Sequence, residues 1–107
     1  MPELIAIGRY NRQAMRAANS GNTAEALLRL AMAMRLAREA DRPLLEALSK
    51  DNMGLAYQMA GRPEEAAACF RIALGLALDH AEEGHPLCRC IRNNLSRLGD
   101  ARASQAA

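Results

Sequence analysis

The chain has 107 residues, with 14 basic and 12 acidic side chains and a formal net charge of +2. This near balance argues against a nucleic-acid-binding protein, in which one basic face is expected to dominate. Half of the residues are apolar, only 3% are aromatic, and valine is absent. The composition therefore predicts one all-α domain spanning residues 1–107 and argues against an extensive sheet.

The sequence carries no signal for a membrane or for secretion. No stretch approaches the ~20 consecutive apolar residues of a membrane span, and the N-terminus lacks a charged segment followed by an apolar run. The three cysteines have no disulfide-framework spacing and fit a reducing compartment. We therefore expect a cytoplasmic protein that does not bind a membrane.

Proline positions and apolar spacing predict five helices. Proline is tolerated in the first turn of a helix but costs ~3 kcal/mol in its interior. Four segments with apolar residues three and four apart begin at a proline, namely Pro2, Pro43, Pro63 and Pro86. Asn22, with Glu25 three residues later, marks the remaining start as a capping box. The predicted helices lie near 2–19, 23–40, 43–60, 63–83 and 86–99, followed by a flexible tail over 100–107.

A 40-residue repeat organises the chain. Residues 20–37 recur as residues 60–77, with Gly21 matching Gly61 and Leu30 replaced by Phe70. Such a period is typical of helical repeat proteins. The short turns between helices make successive helices antiparallel neighbours. Each pair leaves apolar surface that only the next pair covers, which predicts a right-handed stack rather than a closed bundle.

The repeated positions resemble the tetratricopeptide repeat family. Its L-G-x-x-Y, G, E-A, F/Y and A-L positions match one set of residues in this chain, which comprises Met53, Gly54, Tyr57, Gly61, Glu65, Ala66, Phe70, Ala73, Leu74 and Leu76. The first unit is a degenerate copy, with Ala14 and Ala17 where the family has Gly and Tyr. The units span about 7–46 and 47–86, and a closing helix covers 87–99. The long unit is similar to those of kinesin light chains and polarity adaptors.

The resemblance implies a concave groove lined by the first helix of each unit. Carried over position by position, the groove residues are Asn11, Arg12, Met15, Leu48, Asp51, Asn52, Leu55, Asn93, Asn94 and Arg97. The third-unit assignment can slip by one residue between Asn93 and Asn94. The resemblance implies that the chain is a non-catalytic module that binds a peptide segment of an unknown protein partner.

Asn52 and Asn94 are the groove residues best suited to hold a peptide backbone. An amide side chain both donates and accepts hydrogen bonds, as an extended peptide does. Asparagine is also unfavourable inside a helix, so its presence there calls for a reason. The alternative is that one or both side chains bond locally or face water.

Two arginine stripes are open to two interpretations. Arg9, Arg12 and Arg16 follow one another at helical spacing, and Arg89, Arg92 and Arg97 lie on the last helix. They fit the polar outer face that a terminal repeat needs for solubility. If Arg12 and Arg97 instead point into the groove, the preferred ligand carries acidic side chains or a C-terminal carboxylate.

The densest group of potential metal ligands is unfavourable for a metal site. His80, His85, Cys88 and Cys90 span a helix end, a turn and a new helix, without the paired spacing of a structural zinc site. No catalytic nucleophile with a base, paired acids or phosphate loop is recognisable. We therefore expect no enzyme activity, no cofactor and no bound metal. The alternatives are a homodimeric self-assembly unit and, third, a metal-responsive regulator.

Overall fold

The described part of the chain consists of five helices, as the sequence predicts. The computed structural model describes the backbone of residues 1–106 and the side chains of residues 1–103. In this part of the chain there is no strand, and the helices are α1 (Pro2–Asn19), α2 (Thr23–Glu39), α3 (Pro43–Met59), α4 (Pro63–His80) and α5 (Pro86–Ala106). All four prolines occupy the first position of a helix, where no backbone N–H is required.

Asn22 caps α2 with its side chain. The Asn22 Oδ1 atom accepts a hydrogen bond from the Glu25 backbone N–H at 3.2 Å, and Asn22 Nδ2 donates to Glu25 Oε2 at 3.1 Å. The cap satisfies one of the N–H groups that have no partner within the first turn of a helix. This is the only helix start without a proline, so a side-chain cap replaces proline as the start signal.

The first three turns share one geometry and recur every 20 residues. Gly21, Asp41 and Gly61 all have positive φ angles, of 81°, 54° and 74°. In each turn the next residue donates its backbone N–H to a carbonyl five residues earlier, as Asn22 does to Ala17 at 2.8 Å. This is the hydrogen bond of a Schellman motif, which favours glycine at the left-handed position. Asp41 adopts that conformation without being a glycine.

Two predicted helix ends differ from the structure. Helix α4 ends at His80 rather than at 83, because Ala81 is extended (φ −147°, ψ 162°) and residues 82–85 form a turn before Pro86. Helix α5 continues to Ala106 rather than ending at 99. Arg102 of α5 pairs with Glu64 of α4 at 3.4 Å, and the alanines after Gly99 favour helix. Residues 100–106 are therefore helical where a flexible tail was predicted, and residue 107 lies outside the described residues.

The helices form two layers. Helices α1, α3 and α5 lie side by side in one layer, while α2 covers α1 and α3 and α4 covers α3 and α5. Helices α2 and α4 do not contact each other within the described residues. The resulting slab measures 49 × 33 × 16 Å. Helix α3 is central, since among the described residues it alone contacts all four other helices.

Helices α3 and α4 approach each other closely at Gly54 and Phe70. Phe70 is fully buried, and a Cβ atom placed on Gly54 would lie only 2.5 Å from its ring. The corresponding positions of the first pair, 40 residues earlier, hold Ala14 and Leu30, which are also fully buried. A smaller partner side chain thus leaves room for the Cβ of Ala14. Both pairs place the small residue on the first helix and the larger one on the second, and in the second pair the loss of the methyl group at Gly54 accompanies the larger ring of Phe70.

The contact between Gly54 and Phe70 predicts how variants at these two positions change stability. We expect Gly54→Ala to lower the free energy of unfolding by ~1–3 kcal/mol, because the added methyl overlaps the Phe70 ring. The single variant Phe70→Leu should also lower the free energy of unfolding, because leucine makes fewer packing contacts than phenylalanine. The double variant Gly54→Ala/Phe70→Leu recreates the first pair, so it should be less destabilised than the sum of the two single variants. Urea unfolding followed by circular dichroism measures all three.

Gly75→Ala is the matched control. Gly75 lies in α4, is exposed, and has no atom within 4 Å of an added Cβ. Its replacement should raise stability by ~0.5–1 kcal/mol, since alanine is the better helix former. Additive effects of Gly54→Ala and Phe70→Leu would contradict the packing account.

Candidate functional site

The candidate site is the outer surface of the layer formed by α1, α3 and α5. We call this the α1–α3–α5 face and define it by ten exposed or half-buried residues of these three helices. They are Arg12, Met15, Arg16, Asn19, Leu48, Asn52, Leu55, Cys90, Asn93 and Arg97.

A pocket between α1 and α3 gathers part of the predicted set. It has a volume of about 310 Å³ and is lined by Asn11, Arg12, Met15, Arg16, Asn19 and Asn52. Four of these were predicted as site residues. The sequence pattern places Arg16 only in an arginine stripe and does not indicate Asn19. Both could have been found from helical spacing, since Arg16 follows Arg12 by four residues and Asn19 follows Met15 by four.

Helix α3 supplies the central line of the face. Leu48, Leu55 and Asn52 recur at spacings of three and four residues and therefore share one side of the helix. Leu48 and Leu55 are half-buried, and Leu55 also packs against the core between α3, α4 and α5. The exposed Met59 continues the same line by one turn. The floor of the face is therefore apolar, with one amide in its middle.

The predicted residue Asn11 lies inside the layer rather than on the face. It is 8% exposed and makes three hydrogen bonds, two of which join α1 to α3. Its Nδ2 atom donates to the Ile7 carbonyl at 2.9 Å and to Ser49 Oγ at 3.0 Å, while its Oδ1 accepts from Asn52 Nδ2 at 2.8 Å. Asn52 is thus held in place by its amide nitrogen.

Asp51 and Asn94 form the equivalent link between α3 and α5. Asp51 is 2% exposed and Asn94 is 6% exposed, and Asn94 Nδ2 donates to Asp51 Oδ1 at 2.9 Å. The structure therefore places Asn94 in the helix interface, while its neighbour Asn93 is exposed. Of the two asparagines expected to hold a peptide, only Asn52 reaches the surface.

Burial shifts the pKa of Asp51. Desolvation of the carboxylate raises the pKa of Asp51 above its usual 3.8, and the hydrogen bond from Asn94 lowers it by a smaller amount. The charge of Asp51 also affects the exposed residue Cys90. Burial raises the pKa of the Cys90 thiol most, the charge of Asp51 raises it further, and the charge of Arg97 lowers it. Asp51, Cys90 and Arg97 are thus electrostatic neighbours on the α5 side of the face.

The cations of the face lack internal partners. Six arginines form ion pairs with glutamates, and they are Arg29, Arg35, Arg38, Arg62, Arg92 and Arg102. Among the described side chains, no carboxylate pairs with Arg12, Arg16 or Arg97. The pocket between α1 and α3 has no carboxylate in its lining. Among the described side chains, the α1–α3–α5 face therefore presents arginines that form no ion pair on both sides of an apolar floor.

The histidine and cysteine group does not converge. His85 Nδ1 accepts a hydrogen bond from the Leu87 backbone N–H at 3.1 Å in the first turn of α5. Cys88 is fully buried, and Cys90 is exposed. Among the described residues, no three His, Cys, Asp or Glu side chains are grouped closely enough to hold a metal ion.

Comparisons with models of protein families, with curated proteins and with solved structures gave no match to this chain. Within the described residues, no helix combines the length and apolar character needed to cross a bilayer.

The buried carboxyl predicts a pH dependence of stability. Because its pKa is raised on folding, the folded chain binds more protons than the unfolded chain at pH values just above 3.8. Asp51 therefore contributes stability when protonated, and this contribution is lost as the pH rises through the folded-state pKa. Lowering the pH from ~7 to ~4.5 should stabilise the wild type relative to Asp51→Asn, whose amide still accepts from Asn94.

Urea unfolding at several pH values measures this difference in unfolding free energy. Asp79→Asn, which removes an exposed carboxyl on α4, controls for the loss of one charge. A difference between wild type and Asp51→Asn that stays constant across the pH range would show that Asp51 does not titrate as described.

Proposed function

We propose that the chain is a non-catalytic protein-interaction module that binds a peptide segment across the α1–α3–α5 face. The observation that carries the proposal is the combination of an apolar floor, formed by Met15, Leu48 and Leu55, with flanking cations that lack internal partners. A recognition surface needs apolar area for affinity and polar groups for orientation.

The proposal includes a tetratricopeptide-like right-handed superhelix as the fold. Three features support this assignment. The first is the recurrence of the turn geometry at Gly21, Asp41 and Gly61. The second is the layer in which α1, α3 and α5 contact one another while α2 and α4 stay apart. The third is the Gly54–Phe70 packing, at positions where the family has glycine and an aromatic residue.

Asn52 is the polar group best placed to orient the peptide. Its Nδ2 atom donates to Asn11, and its Oδ1 atom is left to accept a hydrogen bond from a peptide N–H. The bond to Asn11 fixes the rotamer before the ligand arrives, which reduces the entropy lost on binding. Asn11, Asp51 and Asn94 then act as supports that hold the three helices in register.

A larger pocket on another surface is a weaker candidate. It measures about 520 Å³ and lies between α2 and α3, with Met34, Lys50 and Met53 in its lining. Its two arginines are already neutralised, since Arg35 pairs with Glu39 at 3.2 Å and Arg38 pairs with Glu46 at 2.8 Å. The charges of this pocket are therefore largely satisfied within the chain.

Paired methionine variants test the proposed face. A display library of random twelve-residue peptides is selected on the wild type, and binding of enriched peptides is measured by fluorescence anisotropy. Met15→Gln on the α1–α3–α5 face should weaken binding about three- to tenfold, because it removes apolar contact without adding charge. Met32→Gln on the exposed side of α2 should leave the affinity unchanged.

Amide chemical shifts locate the bound peptide independently. The largest changes are expected in α1, α3 and α5, around Met15, Leu48 and Asn52. Changes centred on Leu28, Met32 and Ile72, on the outer side of α2 and α4, would contradict the assignment of the face. Failure to enrich any peptide over the support alone would contradict peptide binding itself.

Self-association is the second candidate, and exposed apolar residues on the other layer favour it. Leu28 and Ile72 are 63% and 56% exposed on α2 and α4. If this surface joins two copies, light scattering across micromolar concentrations should show a dimer. Leu28→Gln should then shift the equilibrium between dimer and monomer toward the monomer. A strictly monomeric wild type would exclude this candidate.

A further inference from the structure

The charges of the α1–α3–α5 face specify the chemistry of its ligand, an inference that rests on the proposed peptide-binding function. Arg12 and Arg16 lie on α1, at the pocket that also contains Asn52. Arg97 lies on α5, seven residues after Cys90 and on the same side of that helix, close enough for the two side chains to interact. The cations therefore stand on opposite sides of α3.

The position of the Arg12 guanidinium supports an accessible cation. A Cβ built on Gly8 would lie 3.2 Å from Arg12 Nη1, so the guanidinium extends along the surface of α1 over a residue without a side chain. Arg12, Arg16 and Arg97 are all exposed. An exposed guanidinium offers a fork of N–H donors that matches a carboxylate.

Helix packing sets the distance between the two cationic sites. Neighbouring packed helices have axes ~8–10 Å apart, so α1 and α5, with α3 between them, are separated by roughly 16–20 Å. An extended peptide advances ~3.3 Å per residue and crosses that distance in about five or six residues. The residues in the middle of the crossing lie over Leu48 and Leu55.

We propose that the α1–α3–α5 face binds an extended peptide with two acidic side chains about six residues apart, one held by Arg12 and Arg16 and the other by Arg97. An apolar side chain between the two acids packs on the floor formed by Leu48 and Leu55. Asn52 accepts a hydrogen bond from the peptide backbone near this central residue. The partner is thus a protein with an acidic, apolar, acidic segment.

The floor of the face distinguishes an acidic peptide from a nucleic acid, which is also anionic. Binding of single strands relies on aromatic side chains that stack on bases. Phe70 is fully buried and Tyr10 and Tyr57 are half-buried in the core clusters, so aliphatic rather than aromatic side chains form the floor. This composition favours the peptide.

Sequences enriched from the random twelve-residue library test the spacing. The expected result is an acidic pair separated by about six positions with an apolar residue between. Enriched peptides without acids, or with acids at no preferred spacing, would overturn this inference and leave the proposed peptide binding intact. If no peptide is enriched over the support, both the proposed function and this inference fail.

Arginine variants test the two cationic sites with a charge-matched control. Arg12→Gln and Arg97→Gln should each weaken binding of an enriched, fluorescein-labelled peptide about three- to fivefold, as expected for exposed ion pairs. Arg71→Gln removes the same charge from α4, on the opposite layer, and should leave the affinity unchanged. Replacing one acid of the peptide by its amide should abolish the effect of the arginine variant on that side only.

Equal effects of all three arginine variants would show that net charge, rather than the two sites, attracts the ligand. A twelve-residue oligothymidylate serves as the anionic comparison. If the oligothymidylate binds more tightly than the acidic peptides, and if Arg12→Gln and Arg97→Gln weaken its binding, the proposed acidic peptide is the wrong class of ligand.

Discussion

The packing of Phe70 against Gly54 holds α3 and α4 together and, through α3, sets the arrangement of the other helices. Because Gly54 has no side chain, the Phe70 ring lies directly against the α3 backbone, and a Cβ on residue 54 would be only 2.5 Å from the ring. This contact holds α3 against α4, and the core cluster that contains Ala14 and Leu30 joins α1 to α2 at the equivalent positions. Because α3 contacts all four other helices, its position determines how α1 and α5 are placed on either side of it.

Buried polar side chains add specificity to this apolar packing. Among the described residues, every buried side-chain nitrogen or oxygen has a hydrogen-bond partner. Asn11 with Ser49 links α1 to α3, and Asp51 with Asn94 links α3 to α5. A shift of one helix along another would leave these groups unpaired, at a cost of ~1–3 kcal/mol for each. They therefore hold in register the layer that presents the candidate site.

The sequence predicted the helices because their signals are local. Proline marks four starts, Asn22 marks the fifth, and glycine marks two of the turns. Asp41 gave no such signal, since its left-handed conformation follows from the Schellman turn rather than from its residue type. The end of α5 was also missed, because Gly99 resembles a stop and the pairing of Arg102 with Glu64 depends on tertiary structure.

The candidate site was only partly predictable for a geometric reason. Successive residues on a helix differ by 100° in direction, so Asn93 and Asn94 cannot both face outward, and sequence spacing alone does not choose between them. The structure turns Asn94 inward because Asp51 offers it an acceptor. Met15 and Asn52 were predicted at the site and line its pocket, whereas Arg16 and Asn19 join it only once α1 is placed beside α3.

A crystal structure of the chain with a selected peptide would show whether the α1–α3–α5 face binds a peptide while the buried polar links stay intact. We expect an extended peptide across α1, α3 and α5, with Asn52 bonded to its backbone and Asn94 still bonded to Asp51. A peptide seated on the outer side of α2 and α4, or one that draws Asn94 away from Asp51, would show that the proposed binding mode is wrong.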